Sequence, residues 1–168
     1  NGEIPLFSGA LGRDQGEDVG SYQITQGDLI SQDNGVFLKG NYELVFTQGV
    51  FTIIAKSIMD TDITVGFVDD YVYTGQGITP PLTVKDGATT LVQGTDYGLD
   101  YSNNINVGTS TVTIVGYGNY NFTRVITFDI IPAPLTITAE DKSKEFGEND
   151  PELTVNYTGF VNGEDAED

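Results

Sequence analysis

The stretch Leu135-Thr-Ile-Thr-Ala-Glu-Asp-Lys-Ser-Lys-Glu-Phe-Gly147 decides how the fold of this chain is interpreted. It opens with Thr and Ile, which are residue types that favour strands, and then becomes a charged segment. Together with residues 150–164, it predicts a β-domain that begins near residue 134 and that the residues after it do not complete. The strands that would complete this domain are therefore expected elsewhere in the sequence.

The first residues of the sequence supply the expected continuation. Asn162-Gly-Glu164 repeats the triplet Asn1-Gly-Glu3. Superposing the two triplets gives a period of about 161 residues, which is the pattern of a tandem array that has been cut once per repeat. We therefore expect this sequence to be an internal piece of a longer array, with its targeting information outside it.

The composition favours an all-β chain without catalytic chemistry. Gly occurs 21 times in 168 residues, and Thr, Val, Ile, Tyr and Phe fill the stretches between clusters of Gly, Asn and Asp, as in strands separated by turns. Cys and His are absent, which excludes disulfides, Cys or His metal sites and nucleophile–histidine catalysis. Carboxylate pairs of the glycosidase kind would arise by chance among 25 acidic residues. We therefore expect no enzyme activity.

The net charge is −18, with only seven Lys and Arg residues. Such a charge repels nucleic acid and anionic membrane surfaces, so we expect no nucleic-acid partner. No segment approaches the roughly 20 consecutive apolar residues that are needed to cross a bilayer. Membrane insertion of this fragment is therefore not expected either.

Turn signals divide the chain into three predicted segments. Residues 1–56 are predicted to be strands, and residues 41–46 and 50–54 among them to pair as a hairpin across a short turn. Residues 57–133 contain six or seven short strands with frequent turns, which predicts an antiparallel β-sandwich of immunoglobulin-like size. Pro132-Ala-Pro134 is a short, stiff linker that leads into the third segment, residues 134–168.

Two stretches of the sequence echo one another. Val19-Gly-Ser-Tyr-Gln-Ile-Thr25 resembles Val107-Gly-Thr-Ser-Thr-Val-Thr113, and each is followed by an Asn-Tyr pair and then by a closing strand. We therefore predict that both domains end on the same strand arrangement, with Tyr and Phe side chains packed in the core.

The C-terminal stretch resembles a known type of bacterial surface repeat. Residues 135–151, continued by Ser8-Gly-Ala-Leu-Gly-Arg13, residues 16–24 and Phe51-Thr-Ile53, resemble the MBG domain that is repeated in large adhesins. Phe146-Gly147 stands where that family usually has Tyr-Gly. The resemblance implies a β-grasp-like fold with one short helix, although no helical stripe is evident in the residues themselves.

The middle of the chain resembles a second type of repeat. Residues 62–131, which carry Tyr73-Thr-Gly75, Gly94-Thr-Asp-Tyr97 and Gly118-Asn-Tyr120, are similar to immunoglobulin-like repeats of bacterial cell-surface proteins. Together the two resemblances imply an all-β chain in which an immunoglobulin-like β-sandwich is flanked by two complementary parts of a β-rich MBG-type domain. Residues 1–56 would be the C-terminal part of one MBG-type repeat, and residues 134–168 the N-terminal part of the next.

Calcium is the one cofactor that the acidic residues suggest. Ca²⁺ takes oxygen ligands, and these could come from Asp60, Asp62, Asp69 and Asp70 or from residues 148–150. No stretch has the spacing of a twelve-residue calcium loop. The alternative is that these acidic residues solvate turns.

The sequence is compatible with two functions. The first is a non-catalytic tandem-repeat segment of a bacterial surface adhesin, exposed on the cell or secreted, that acts as a stalk in cell adhesion. The second is a carbohydrate-binding module that stacks host or environmental glycans on exposed tyrosines. The candidate tyrosines for such stacking are Tyr22, Tyr71, Tyr97 and Tyr117.

Neighbouring repeats are the expected partners. We predict that residues 134–168 of one molecule complete residues 1–56 of the next, head to tail, because each part alone leaves unpaired strand edges. Lys142 and Lys144 alternate in a charged segment. This pattern favours a solvent-facing role for both lysines over an intramolecular isopeptide bond.

Overall fold

A computed structural model describes residues 4–66 and 69–166, and this part of the chain is all-β. The only helical element within it is a single 3-10 turn at Lys39–Asn41. The short helix that the β-grasp resemblance implies is therefore not formed in the described residues. None of these residues forms a helix long and apolar enough to span a membrane.

The chain divides into two compact units. Unit 1 comprises Asn1–Ser57 and Gly118–Asn121, and unit 2 comprises Ile58–Tyr117 and Phe122–Asp168. The three-part division predicted from the sequence stays a prediction. The strands of unit 1 are β1 (Leu6–Ser8), β2 (Gly12–Arg13), β3 (Gly20–Thr25), β4 (Ile30–Gln32), β5 (Gly49–Ile53), β6 (Lys56–Ser57) and β13 (Tyr120–Asn121). Those of unit 2 are β7 (Ile63–Val65), β8 (Tyr71–Val72), β9 (Val84–Asp86), β10 (Thr89–Thr90), β11 (Tyr97–Ser102), β12 (Gly108–Gly116), β14 (Thr123–Ile131), β15 (Thr136–Ala139) and β16 (Val155–Thr158).

Unit 1 consists of small sheets. β1 pairs antiparallel with β4, β3 lies between β2 and β5, and β6 pairs in parallel with β13. On the β3–β5 ladder Tyr22 stands opposite Phe51, and the Arg13 guanidinium lies over both rings at 5.3 and 5.0 Å from their centroids. Cross-strand aromatic pairs and cation–π contacts of this kind stabilise a sheet. The side chains of Arg13, Tyr22 and Phe51 therefore stabilise the ladder between β3 and β5.

The predicted hairpin of residues 41–46 and 50–54 is wrong. Residues 42–48 form no strand, and β5 pairs with β3 instead. The physical reason is that a short turn brings two segments together but does not supply the cross-strand contacts that hold them. β3 supplies such contacts to β5 from a more distant part of the chain, because Tyr22 stands opposite Phe51 and Arg13 covers both rings.

Unit 2 contains two larger sheets with buried faces, and these sheets make up what we call the two-sheet body. Their strand orders are β10-β9-β7 and β11-β12-β14-β8. The alternation of side chains along a strand buries one face of each sheet. The Tyr97 hydroxyl of β11 donates a hydrogen bond to the Leu82 carbonyl at 3.1 Å, and Arg124 of β14 donates to the Ile63 carbonyl of β7 at 2.9 Å. The buried apolar side chains are Ile58, Ile63, Leu82, Val84, Leu91, Tyr97, Val112, Ile114, Phe128 and Ile130.

The sequence echo corresponds to a shared strand pairing. β3 pairs antiparallel with β5 in unit 1, and β12 pairs antiparallel with β14 in unit 2. Each echoed strand thus pairs with its closing strand, but Asn41-Tyr42 of unit 1 forms no strand, so the predicted common arrangement is only partly formed. Of the echo's aromatic residues, Phe128 in unit 2 is buried, whereas Tyr42 and Phe51 in unit 1 are exposed, so the predicted aromatic core is not formed in unit 1.

Candidate functional site

Three segments of unit 2 come together at one place, and we call this place the joint. They are residues 73–76 after β8, the linker residues 132–135, and residues 159–164 after β16. They line a shallow cavity of about 250 Å³, to which Val107 also contributes. The joint thus connects the two-sheet body to the segment that carries the β15–β16 hairpin.

The linker itself has little freedom, because Pro132 and Pro134 fix their own backbone φ angles. Gly159 lies against the linker, since a Cβ added there would be 2.2 Å from the Pro134 carbonyl oxygen. Phe160 packs in turn against Tyr157 of β16, with ring centroids 5.9 Å apart. The apolar part of the joint therefore extends from the linker into the hairpin.

Two polar contacts close the joint. The Tyr73 hydroxyl donates a hydrogen bond to Glu164 Oε1 at 2.6 Å, and the Gln76 side-chain amide donates to Asn162 Oδ1. The hydrogen bond to Glu164, followed by burial and by the charge of Glu164, raises the pKa of Tyr73 above its ordinary value of 10.0. The hydroxyl is therefore protonated, and able to donate, at neutral pH.

Local turn chemistry places these side chains. Tyr73 extends β8, and its amide donates to the Ile131 carbonyl at the end of β14 at 2.9 Å. The chain then turns at Gly75, which has φ +71°, where a Cβ would lie only 2.4 Å from the Cβ of Asn162. Only glycine allows both this backbone conformation and this close approach.

The four calcium candidates do not form one cluster. Asp60 Oδ1 accepts a hydrogen bond from the Asp62 amide at 3.1 Å, in the turn before β7 of the three-stranded sheet. Asp69 and Asp70 precede β8 of the four-stranded sheet and are exposed. Across residues 4–66 and 69–166, no three acidic side chains are grouped so that they could hold a metal ion. Calcium binding stays a prediction, and these residues provide no assembled ligand set for it.

The acidic residues of the β15–β16 connection face lysines. Lys144 Nζ lies 2.5 Å from an oxygen of Asp150 and donates to the Glu148 carbonyl, while Lys142 pairs with Glu140 at 2.9 Å. Both lysines thus take part in ion pairs at the surface. The alternative that these acids solvate a turn fits this arrangement.

The tyrosines do not share one stacking surface. Tyr97 is only 3% exposed, so its predicted exposure is wrong: the ring is packed in the core, and its hydroxyl is satisfied by a backbone carbonyl. Tyr71 packs edge-on against Phe128, at the opposite edge of the four-stranded sheet from β11. Tyr22 is half-buried, and Tyr117 is the most exposed of the four at 44%.

The sequence did not reveal the joint. In the sequence, Tyr73-Thr-Gly75 contributes only to the immunoglobulin-like resemblance, and Asn162-Gly-Glu164 is only a repeated triplet. The glycine-containing pairs Thr74-Gly75 and Asn162-Gly163 lie in the two loops that meet. Nothing in the sequence shows that they meet, because Tyr73 and Glu164 are 91 positions apart.

The described chain is thus all-β, and a proline-containing linker joins its two-sheet body to the β15–β16 hairpin. The sequence model of the MBG domain (YGX type) matches residues 1–52 and 135–168. These stretches cover more than half of the chain, and the chain belongs to this family. No curated protein and no solved structure matches it. Residues 53–134 lie outside the family match, so the immunoglobulin-like resemblance of the middle segment has no such support.

Proposed function

We propose that this chain is a non-catalytic spacer segment of a bacterial surface adhesin, in which repeats form an extracellular stalk for cell adhesion. Membership of the MBG family, which is a repeat-domain family, supports a place in a repeat region. The observation that carries the proposal is the joint, where Tyr73 binds Glu164 across a proline-containing linker. A spacer has to transmit force without bending, and this contact resists bending between the two-sheet body and the hairpin.

We infer further that the two-sheet body is an immunoglobulin-like sandwich. Its seven strands in sheets of three and four agree in number and division with such sandwiches. The link from Tyr97 to Leu82 supports face-to-face packing of the two sheets. The chain leaves the sandwich at the end of its last strand, β14, and continues directly into the linker.

The charge of the chain suits an extended array. At −18, neighbouring arrays would repel one another, which keeps proteins soluble and apart. Because only seven basic residues are present, the repulsion would act along the whole length of a stalk. An extracellular location at the bacterial surface is part of the same proposal.

Distance measurement between two spin labels tests the stiffness of the joint directly. The chain has no cysteine, so Ala88→Cys and Thr138→Cys, at exposed positions on the two-sheet body and the hairpin, would give a uniquely labelled pair. We expect a single narrow distance distribution. Replacing the joint contact by Tyr73→Phe with Glu164→Gln should broaden it, whereas Tyr117→Phe, at an exposed position, should not. A broad distribution in the unsubstituted chain would contradict the spacer proposal.

Calcium-dependent stiffening is a separate question that scattering can answer. If Asp60, Asp62, Asp69 and Asp70 bound calcium, the scattering profile would differ between calcium and chelator. We expect the same profile in both, because none of these four residues lines the joint. A profile that indicates an extended molecule only when calcium is present would show that the stiffness depends on the metal.

Carbohydrate binding stays the alternative prediction. The exposed ring of Tyr117 is the best remaining candidate for stacking against a sugar. Binding of the chain to a narrow class of glycans on an array, abolished by Tyr117→Ala, would favour a binding module over a spacer.

A further inference from the structure

Unit 1 exposes most of its apolar side chains. Among its described residues, Phe37 is the only large apolar side chain that is buried, at 4% exposed. Phe37 stacks on Tyr42 with centroids 4.9 Å apart, and both rings line an apolar cavity of about 270 Å³. The exposed apolar side chains of unit 1 include Leu6, Phe7, Ile30, Leu44, Val50 and Phe51. A surface of this kind marks an interaction site in a soluble protein.

Unit 1 also has an open sheet edge. Within the described chain β5 pairs with β3 on one side only, and residues 43–48, which lead into it, join no sheet. An exposed edge strand with apolar side chains is a template for pairing with another strand. Val50 lies on this edge and is 57% exposed.

The β15–β16 hairpin also exposes its side chains and, among the described residues, has no further strand beside it. Its two strands pair over four positions, from Thr136 opposite Thr158 to Ala139 opposite Val155, and every residue in both strands is exposed. In the connection between them, the Phe146 side chain is fully exposed. A two-stranded hairpin is marginally stable until more strands join it.

The family match relates these two incomplete structures. One sequence model matches residues 1–52, which lie in unit 1, and residues 135–168, which lie in unit 2. Both are thus pieces of the same type of domain, and each has the open edges and exposed apolar residues that the other would cover.

We propose that the β15–β16 hairpin of one copy of the chain adds to the open β5 edge of unit 1 in a second copy, building one MBG domain from two molecules. The contact is heterologous, since a hairpin meets a different surface, and repeated contacts give rings or open chains. The proposal goes beyond the spacer function, because it depends on the split family match and not on the stiffness of the joint. In a tandem array the neighbouring repeat would supply the unit 1 surface in place of a second copy.

Two charge substitutions separate the donor from the acceptor. Ile137→Lys places a charge on β15, where the side chain is 59% exposed, and Val50→Lys places one on the β5 edge. Charged residues at strand edges prevent pairing. Val125→Lys is the matched control, because Val125 is also 59% exposed but lies on β14 of the two-sheet body.

Sedimentation of the full chain over a range of concentrations gives the readout. We expect the unsubstituted chain and Val125→Lys to associate as concentration rises, and each edge variant to associate about tenfold more weakly or worse. An equimolar mixture of the two edge variants should form a one-to-one dimer. The intact hairpin of Val50→Lys would then occupy the intact unit 1 of Ile137→Lys.

Several outcomes would overturn the proposal. A monomer at every concentration would do so, and so would a mixture that remains monomeric while the unsubstituted chain associates. Association that both edge variants retain would assign the contact to another surface. Circular dichroism of each variant verifies that its strands are intact. The label distances across the joint, measured on dilute monomer, test the spacer function independently of all these results.

Discussion

The two-sheet body and unit 1 contain similar strands but differ greatly in how many apolar side chains they bury. Among the described residues, ten side chains of the hydrophobic core belong to unit 2, which contains the body, and one, Phe37, belongs to unit 1. Both contain the echoed pair of strands, β12 with β14 and β3 with β5. The difference is that the strands of the body belong to two sheets with shared core contacts, while those of unit 1 lie in sheets of two or three strands. A strand pattern therefore yields a core only when a second layer covers it.

Unit 1 is held by hydrogen bonds and cation–π contacts instead. Arg13 lies over the rings of Tyr22 and Phe51, and its side chain also donates to the Gly16 carbonyl at 2.6 Å. Asn119, which belongs to unit 1, accepts a hydrogen bond from the Val19 amide at 2.7 Å. Contacts of this type each contribute about 1 kcal/mol, so removing one of them should matter less than removing a core side chain.

The largest effect is expected from Ile114→Ala in the two-sheet body. Ile114 is completely buried, and such a truncation leaves a cavity that costs about 2–5 kcal/mol of unfolding free energy. Val50→Ala on the exposed edge of unit 1 is the control and should cost less than about 0.5 kcal/mol. Denaturant titration followed by circular dichroism measures both values. Equal losses would mean that the two regions do not differ in packing as the burial indicates.

The joint should respond next most strongly to Gly75→Ala. The substitution forces a side chain into a left-handed conformation, which costs about 1 kcal/mol or more, and places its Cβ 2.4 Å from that of Asn162. Gly87→Ala is the matched control, since Gly87 also has a positive φ of +54° but no atom within 4 Å of the added Cβ. Both variants should lose stability, but only Gly75→Ala should broaden the label distances across the joint. Identical distance distributions would show that the close approach does not hold the joint.

Some of these features were predictable from the sequence. The others were not, because they depend on contacts between residues that are far apart in the sequence. The all-β class follows from local patterns, because residue type and alternation act over a few positions. The pairing of Tyr22 with Phe51, which replaced the predicted hairpin, depends on contacts between separated segments. The Tyr73–Glu164 contact is of the same kind, and Tyr97 was misjudged because exposure depends on the second sheet.

Asn119→Ala is expected to weaken unit 1 by about 1 kcal/mol, the value of a typical hydrogen bond. The side chain accepts from the Val19 amide and donates to Asp18 Oδ1 at 2.8 Å. Hydrogen exchange of the Val19 amide should therefore become faster while that of Ile114 in β12 remains unchanged. Asn106→Ala, in an exposed loop of unit 2, is the control. Faster exchange at both amides would indicate that the substitution acts on the whole chain and not on unit 1 alone.

The smallest expected effects are those of pH on the hairpin and the joint, and they lie at opposite ends of the pH scale. Hydrogen bonds from Thr154 and Lys142 lower the pKa of Glu140 below its ordinary value of 4.5. The stabilisation of the hairpin by Glu140 is therefore complete above that value and is lost as pH falls through the lowered pKa. The pKa of Tyr73 is raised above 10.0, so its contribution to the joint is complete below that value and is lost as pH rises through the raised pKa.

Amide exchange at Ile137 and Tyr73, corrected for the intrinsic pH dependence, measures these two losses separately. Glu140→Gln should remove the acid-dependent loss at Ile137 and leave the alkaline loss at Tyr73 in place. Tyr73→Phe should do the reverse, because phenylalanine has no hydroxyl to titrate. If each variant retained both transitions, groups other than Glu140 and Tyr73 would have to account for the pH dependence.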